Sequence, residues 1–219
     1  MTPLTALILL LCSAGALCAL AQDSNNFIDT VLTNRLPYEV GKRNLDPAQG
    51  ANFQVKFFRR IFRFRQDFKA KFTFGNFYGL SKVKRRGDCS APAWEATNTT
   101  FGCHLSLDRV QVSYKVEAKG GEILGSSNFS VYMFVHNTNF FVQVTSAQYV
   151  PATLKAISLN SLELLIYEST WQGLNQERRK QQFHDAIKAN IKDQLAALLY
   201  GSLREAMNNA FVTVPAPFP

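Results

Sequence analysis

The chain has 219 residues, 47% of them hydrophobic, and carries 24 Lys and Arg against 16 Asp and Glu, a formal net charge of +8. That is enough length to bury a sizeable core in one domain or at most two, and no segment after the first 21 residues is long and apolar enough to span a bilayer. The charge is concentrated: eleven basic residues stand against the single Asp67 between Lys56 and Arg86, so an anionic partner is expected there rather than elsewhere.

Residues 1–21, MTPLTALILLLCSAGALCALA, hold no charge and end in Ala19-Leu20-Ala21. An apolar run closed by small residues predicts a signal peptide cleaved after Ala21, leaving residues 22–219 as one exported, extracellular domain. Cys12 and Cys18 leave with it, so Cys89 and Cys103 remain to form a disulfide in an oxidising compartment. Two lone cysteines with no second ligand pair make no zinc site. Two sequons, Asn98-Thr99-Thr100 and Asn128-Phe129-Ser130, fit the same compartment as glycosylation sites, and export argues against nucleic acid as a partner.

Phe27, Ile28, Val31, Leu32 and Leu36 follow helical spacing behind Asp23 and Ser24, predicting a short N-terminal helix that ends near Pro37. Residues 38–52, with Gly41, Pro47 and Gly50, are expected to form a loop. Between Arg60 and Phe74 the even positions hold Phe62, Phe64, Phe68, Ala70, Phe72 and Phe74. The odd ones hold Arg63, Arg65, Asp67, Lys69, Lys71 and Thr73, with Ile61 the apolar exception. Period two predicts one long strand, aromatic inside and cationic outside, spanning roughly 50 Å. A strand of that length must twist, so the sheet is expected to be strongly curved.

Further strands follow at Cys103, Leu105 and Leu107, and at Val110, Val112, Tyr114 and Val116, with a phase slip at Asp108-Arg109 that reads as a β-bulge. NFSVYMFV places Phe129, Val131, Met133 and Val135 on one face, and HNTN (136–139) reads as a hairpin turn. From about residue 175 to 211, Phe183, Ile187, Ile191, Leu195, Leu199, Leu203, Met207 and Phe211 recur every four residues. Against a 3.6-residue period this seam winds round a long C-terminal helix, and a curved sheet could cover it where a flat one could not. The fold class is therefore α+β: a strongly curved antiparallel sheet wrapped around a long C-terminal helix, with a short N-terminal helix.

This plan, together with FTFGNFYGLSKVKRRGD (residues 72–88), resembles the tubular lipid-binding (TULIP) superfamily, and more closely the mite group 7 allergens. Phe77, Gly79, Leu80, Lys84, Arg85, Gly87 and Asp88 carry the likeness. His104-Leu105, NFSVYMFV and the terminal LREAMNNAF add to it. The disulfide and the strong basic charge depart from that family's pattern. The resemblance implies a lipid or other hydrophobic small molecule held between sheet and helix, lined by Phe68, Phe72 and Phe74 with Ile191, Leu195 and Leu199 opposite. Burial of each methylene contributes about 0.8 kcal/mol, so such a site needs few polar contacts and leaves no sharp motif.

Arg63, Arg65, Lys69 and Lys71, with the cluster Lys82, Lys84, Arg85 and Arg86, are candidates for an anionic head group, membrane surface, lipopolysaccharide or sulfated glycan. Arg86-Gly87-Asp88 also spells an integrin-type tripeptide in a turn. A protein acting through this loop's surface is the alternative to a lipid carrier. Neither an enzyme nor a metal or cofactor is indicated, since His104, His136 and His184 fall in separate predicted elements and no G-x-S-x-G elbow occurs.

Overall fold

A computed structural model describes residues 21–61, 64–120, 126–168 and 177–217, with the side-chain surroundings of 58–66, 168 and 177 left aside. The expected signal segment, apart from Ala21, lies outside the described residues, as do Phe62 and Arg63.

Among the described residues, nine antiparallel strands form one open sheet: β1 (Ala48–Gly50), β2 (Phe53–Ile61), β3 (Phe64–Tyr78), β4 (Lys84–Arg85), β5 (Ala93–Glu95), β6 (Asn98–Ser106), β7 (Gln111–Gly120), β8 (Ser126–Ala147) and β9 (Thr153–Glu168). The 22-residue β8 is the spine. Its first half pairs with β7 and its second with β6 on one side, while β9 runs along the other. β3 pairs with β7, and β2 and β1 pair with β3. The helices are α1 (residues 21–42), α2 (Glu177–Tyr200) and α3 (Ser202–Val212).

Alternation decides the faces. Val112, Tyr114, Val116, Phe129, Val131, Met133, Phe140, Val142 and Val144 are all buried, as the period-two reading requires. All eight seam residues of the C-terminal region, from Phe183 to Phe211, are buried as well. The sheet curls far enough for α2 to touch both β2 and β9. Side chains of the helices bond the backbone at both of those edges. Gln194 Oε1 accepts from the Ala51 amide at 2.8 Å, the Tyr200 hydroxyl accepts from the Leu159 amide at 2.9 Å, and Asn208 Oδ1 accepts from the Leu154 amide at 2.9 Å. Each of these bonds satisfies one backbone amide beside or on an edge strand.

Five expectations are corrected. The single strand at 60–74 is instead a hairpin: β2 and β3 pair from Phe53↔Phe72 to Ile61↔Phe64. Ile61 falls out of phase because it belongs to β2, the partner strand of the hairpin, and not to the strand that follows. The N-terminal helix does not stop at Pro37. A π-turn at Val31–Arg35 precedes it, and Pro37 sits in the first turn of the segment Leu36–Lys42, where a missing amide costs little. The region 38–52 thus holds the end of α1 and β1 rather than a plain loop.

HNTN is no hairpin, since β8 continues through it with register shifts between His136 and Phe140. Asp108 Oδ1 takes the Thr138 amide at 2.6 Å, Arg86 Nη1 donates to the Thr138 carbonyl at 3.3 Å, and Arg86 Nη2 donates to Asn137 Oδ1 at 3.1 Å. Those partners replace the ladder bonds that a bulge gives up. The phase slip at Asp108-Arg109 is a turn between β6 and β7, closed by the Val110 amide on the Leu107 carbonyl at 2.9 Å. The expected long C-terminal helix is present, with a turn at Gly201 separating α2 from α3, and its apolar seam stays buried throughout.

Cys89 and Cys103 are bonded, with Cα atoms 4.4 Å apart and a sequence separation of 14. In the chain-entropy account, closing that loop stabilises the fold by about 3 kcal/mol. The double substitution Cys89→Ser, Cys103→Ser is expected to lower unfolding free energy by about that much in urea titration.

Candidate functional site: the helix seam and the basic outer face

Two regions meet the chemistry expected of a site: the apolar space under α2 and the cationic outer face of β2, β3 and β7.

Of the six proposed lining residues, Phe68, Phe72, Ile191, Leu195 and Leu199 lie in one continuous buried cluster. Phe183, at the start of the helix seam, meets Phe68 edge-on at 5.7 Å and Phe72 at 6.0 Å. Phe53 stacks on Phe72 at 4.3 Å, and Phe57 on Phe68 at 6.1 Å. Apolar residues only partly buried gather along the two borders between helix and sheet. Phe53 and Phe57 lie on β2, Ile157, Leu159, Leu162 and Ile166 on β9, and Ala186 and Leu198 on α2. These borders are where an apolar chain could slip in with the least unpacking.

Phe74 is not part of the lining. It is 73% exposed, with φ +54°, and its ring lies 5.4 Å from Lys115 Nζ. The cause is a bulge between Thr73 and Asn76. Gly75 lies opposite Gly50, and the Tyr114 ring covers both, so that a Cβ on Gly75 would fall 2.2 Å from Tyr114 Cζ. The extra residue turns Phe74 outward.

Tyr114 carries the polar feature of this interior. Its hydroxyl donates to Gln194 Oε1 at 2.8 Å and lies 3.2 Å from the Ala51 carbonyl, which also accepts from Gln194 Nε2 at 3.2 Å. Burial pushes the Tyr114 hydroxyl up to about 12, so it stays neutral at physiological pH. Nothing in the alternation singled out Tyr114 or Gln194. Two glycines brought opposite each other by pairing make the notch, and pairing is not written in either local segment.

On the outer face, Lys69 and Lys71 are exposed as expected, while Arg63 is outside the described residues and Arg65 is placed only by its pairing with Arg60. Register adds cations that the single-strand reading missed. Lys56 and Lys119 lie directly opposite Lys69 on either side, and Lys115 lies opposite Thr73.

The 82–86 cluster is a separate place. Lys84 pairs with Ser106 and Lys69 with Lys119, so roughly 40 Å of strand lies between them along the β6–β7 track. Lys82, Lys84 and Arg86 are exposed and Arg85 is half-buried, and both arginines have hydrogen-bond partners within the protein. Arg85 grips Asp29 of α1 through Nε and Nη2 at 3.0 and 2.7 Å, and this hydrogen bonding holds it above its ordinary value. Arg86 holds the β8 bulge. Asp88 Oδ1 accepts from Asn25 Nδ2 at 2.9 Å, and Asn25 Oδ1 accepts from the Cys89 amide at 2.8 Å. The tripeptide Arg86-Gly87-Asp88 is exposed, with the Asp88 side chain 81% accessible, and both of its charged ends also have hydrogen-bond partners within the protein.

The other end of that loop hangs on Asp46, which accepts the amides of Gly79 and Ser81 at 2.7 and 3.1 Å and the Ser81 hydroxyl. Gly79 adopts φ +87°, a conformation that favours glycine. Burial pushes the Asp46 carboxyl up, but these donors and nearby Lys82 outweigh it, so it lies below its ordinary value of 3.8. A carboxyl depressed on folding contributes stability above its unfolded value and loses it as pH falls through the folded value. Asp46→Asn is thus expected to cost about 1–3 kcal/mol near pH 7 and progressively less below about pH 4, as read by urea midpoints across that range.

Among the described residues no three His, Cys, Asp or Glu side chains gather as a metal site, and no helix is long and apolar enough to cross a membrane. His104, His136 and His184 lie on β6, β8 and α2, with His104 Nδ1 2.9 Å from Asn139 Oδ1. An open groove of about 700 Å³ beside the disulfide is lined by Trp94, His104 and Phe141 among others. The sequons sit differently: Asn98 is half-buried and Asn128 exposed. A second surface feature is aromatic, with Tyr132 opposite Tyr167 and Phe134 opposite Leu165, all exposed.

No family model matches the chain. It is 22% identical over 223 residues to a salivary anticoagulant protein P23 of Ixodes scapularis, covering 99% of both chains. Similar solved structures include lipopolysaccharide-binding protein, at 14% identity and a TM-score of 0.46 over 81% of this chain. Takeout 1 of Epiphyas postvittana is another, at 12% identity and a TM-score of 0.38, covering 85% of this chain and 91% of that one. The chain spans about a third, 35%, of the length of lipopolysaccharide-binding protein.

Proposed function

We propose that this protein is a secreted, non-enzymatic carrier of a hydrophobic or amphipathic ligand, in keeping with its resemblance to the tubular lipid-binding superfamily and the mite group 7 allergens. The observation that carries the reading is the pair of half-buried apolar borders, Phe53 and Phe57 on β2 and Ile157 to Ile166 on β9, flanking a helix whose own seam is buried. An acyl chain enters along such a border and replaces side-chain contacts beneath it with its own. Phe68, Phe72, Ile191, Leu195 and Leu199 then form the floor. The basic outer face brings the carrier to anionic surfaces.

The reading is tested by fluorescent fatty-acid uptake. Wild type is expected to bind saturably, and Phe57→Glu, at the β2 border, to lose at least tenfold in affinity with its circular dichroism unchanged. Uptake indifferent to that change would remove the border as the entrance.

A second reading, a protein that acts by covering a partner's surface, is favoured by the exposed Tyr132, Phe134, Leu165 and Tyr167 patch and by the name of the tick relative as a salivary anticoagulant. It predicts prolonged plasma clotting that Tyr132→Ala with Tyr167→Ala abolishes while fatty-acid uptake persists.

A further inference from the structure

The outer face of β2, β3 and β7 carries like charges in direct opposition. Lys56, Lys69 and Lys119 stand side by side on three neighbouring strands, roughly 4.8 Å apart from strand to strand. All three are exposed, as are Lys71 and Lys115 further along the same face. The register also sets Arg60 opposite Arg65 two rows beyond. Like charges directly opposite on a sheet are destabilising, and strands ordinarily set acids between them.

Two acids are nearby. Glu117, opposite Lys71, is paired with Lys119 at 2.6 Å and lies below its ordinary value through that hydrogen bond. Asp67 lies opposite Phe58. Five lysines against two carboxylates leave the strip strongly cationic.

We propose that this lysine ladder is a binding site for a linear sulfated glycan, centred on Lys69 and flanked by Lys56 and Lys119. Among the described residues, the two rows that hold the ladder and Lys71 are otherwise filled by Gln54, Glu117, Ser126 and Asn128, all polar. A bilayer surface engages such a face by sinking apolar side chains beside the cations. One exposed aromatic, Phe74, lies over Lys115, roughly 13 Å along β7 from Lys119 and outside both of these rows, and the Tyr132 and Phe134 rows lie near Ser113 and Gln111, roughly 20 Å away. A polysaccharide bearing sulfates at intervals needs no apolar insertion. It lies across the strands, takes one sulfate per lysine or pair of lysines, and replaces the mutual repulsion with charge-assisted contacts. The site is independent of the carrier reading and stands or falls without it.

The test uses the full mature chain with Asn128→Gln, so that a glycan at that sequon does not shadow Lys119. Binding to a defined heparin oligosaccharide, to its N-desulfated form and to phosphatidylserine vesicles is measured from about 0.05 to 0.3 M salt. The expected result is heparin binding that weakens steeply with salt by counterion release, falls at least tenfold on N-desulfation, and falls at least tenfold in Lys69→Gln with Lys119→Gln. Lys82→Gln with Lys84→Gln should remain within twofold. Without any glycan, the ladder variant should melt no lower than its parent in low salt, because the repulsion is relieved; with heparin, only the parent should gain in melting temperature. Binding to vesicles but not to heparin would overturn the assignment in favour of lipid. Heparin binding lost in the Lys82, Lys84 variant and kept in the ladder variant would move it to the loop and equally overturn it.

Discussion

Phe72→Ala is expected to lower the unfolding free energy by about 3–5 kcal/mol, while Phe74→Ala changes it by less than about 1 kcal/mol. The two phenylalanines are two residues apart, and in an unbroken strand they would share a face. Phe72 is fully buried, stacked on Phe53 and near Phe183, so its removal forfeits both transfer energy and ring contacts. Phe74 is out in solvent with Lys115 beside it, an exposed cation–π contact contributing about 0.5–1 kcal/mol. Urea midpoints of the two variants check this directly. Equal losses would mean that the bulge at Gly75 does not exist in solution.

The second large effect concerns the cause of that bulge. Gly75→Val is expected to destabilise by about 3 kcal/mol or more, beyond ordinary overpacking, because its Cβ would sit 2.2–2.5 Å from three atoms of the Tyr114 phenol. The ring cannot retreat without losing its bond to Gln194 and the contact with Ala51 that ties α2 to the sheet. A smaller residue at 114 relieves the clash, so Tyr114→Val should make Gly75→Val far less harmful than it is alone. A double-mutant cycle checks the coupling, with at least about 1 kcal/mol of interaction expected between residues in contact. Strict additivity would place the ring elsewhere.

These two cases mark how far the sequence could be read. Where one rule acts alone, it reads true. Alternation fixed the inward faces of β7 and β8, and the four-residue repeat from Phe183 to Phe211 identified a seam that is buried at every step. Errors came where a local pattern had two solutions. Ile61, out of phase with its neighbours, was the trace of a hairpin, yet an exception in a long alternating run looks the same as a single misfit. HNTN has turn chemistry, and only the distant Asp108 and Arg86 keep the chain running straight through it. The alternation was carried straight past Gly75 to put Phe72 and Phe74 on one face; a glycine inside a strand can mark a bulge, but what approaches this one, Tyr114, lies 39 positions away. The lysine ladder was invisible for the same reason: Lys56, Lys69 and Lys119 become neighbours only through strand register. Arg85 and Arg86 read as free cations because Asp29 and the β8 bulge are remote in sequence.

Native mass spectrometry of the protein made in a eukaryotic host tests the carrier account most directly. The account predicts a discrete added mass in the lipid range that organic extraction removes and that fatty acid restores. A spectrum holding only protein and glycan masses, from a protein that also takes up no fatty acid after extraction, would contradict it.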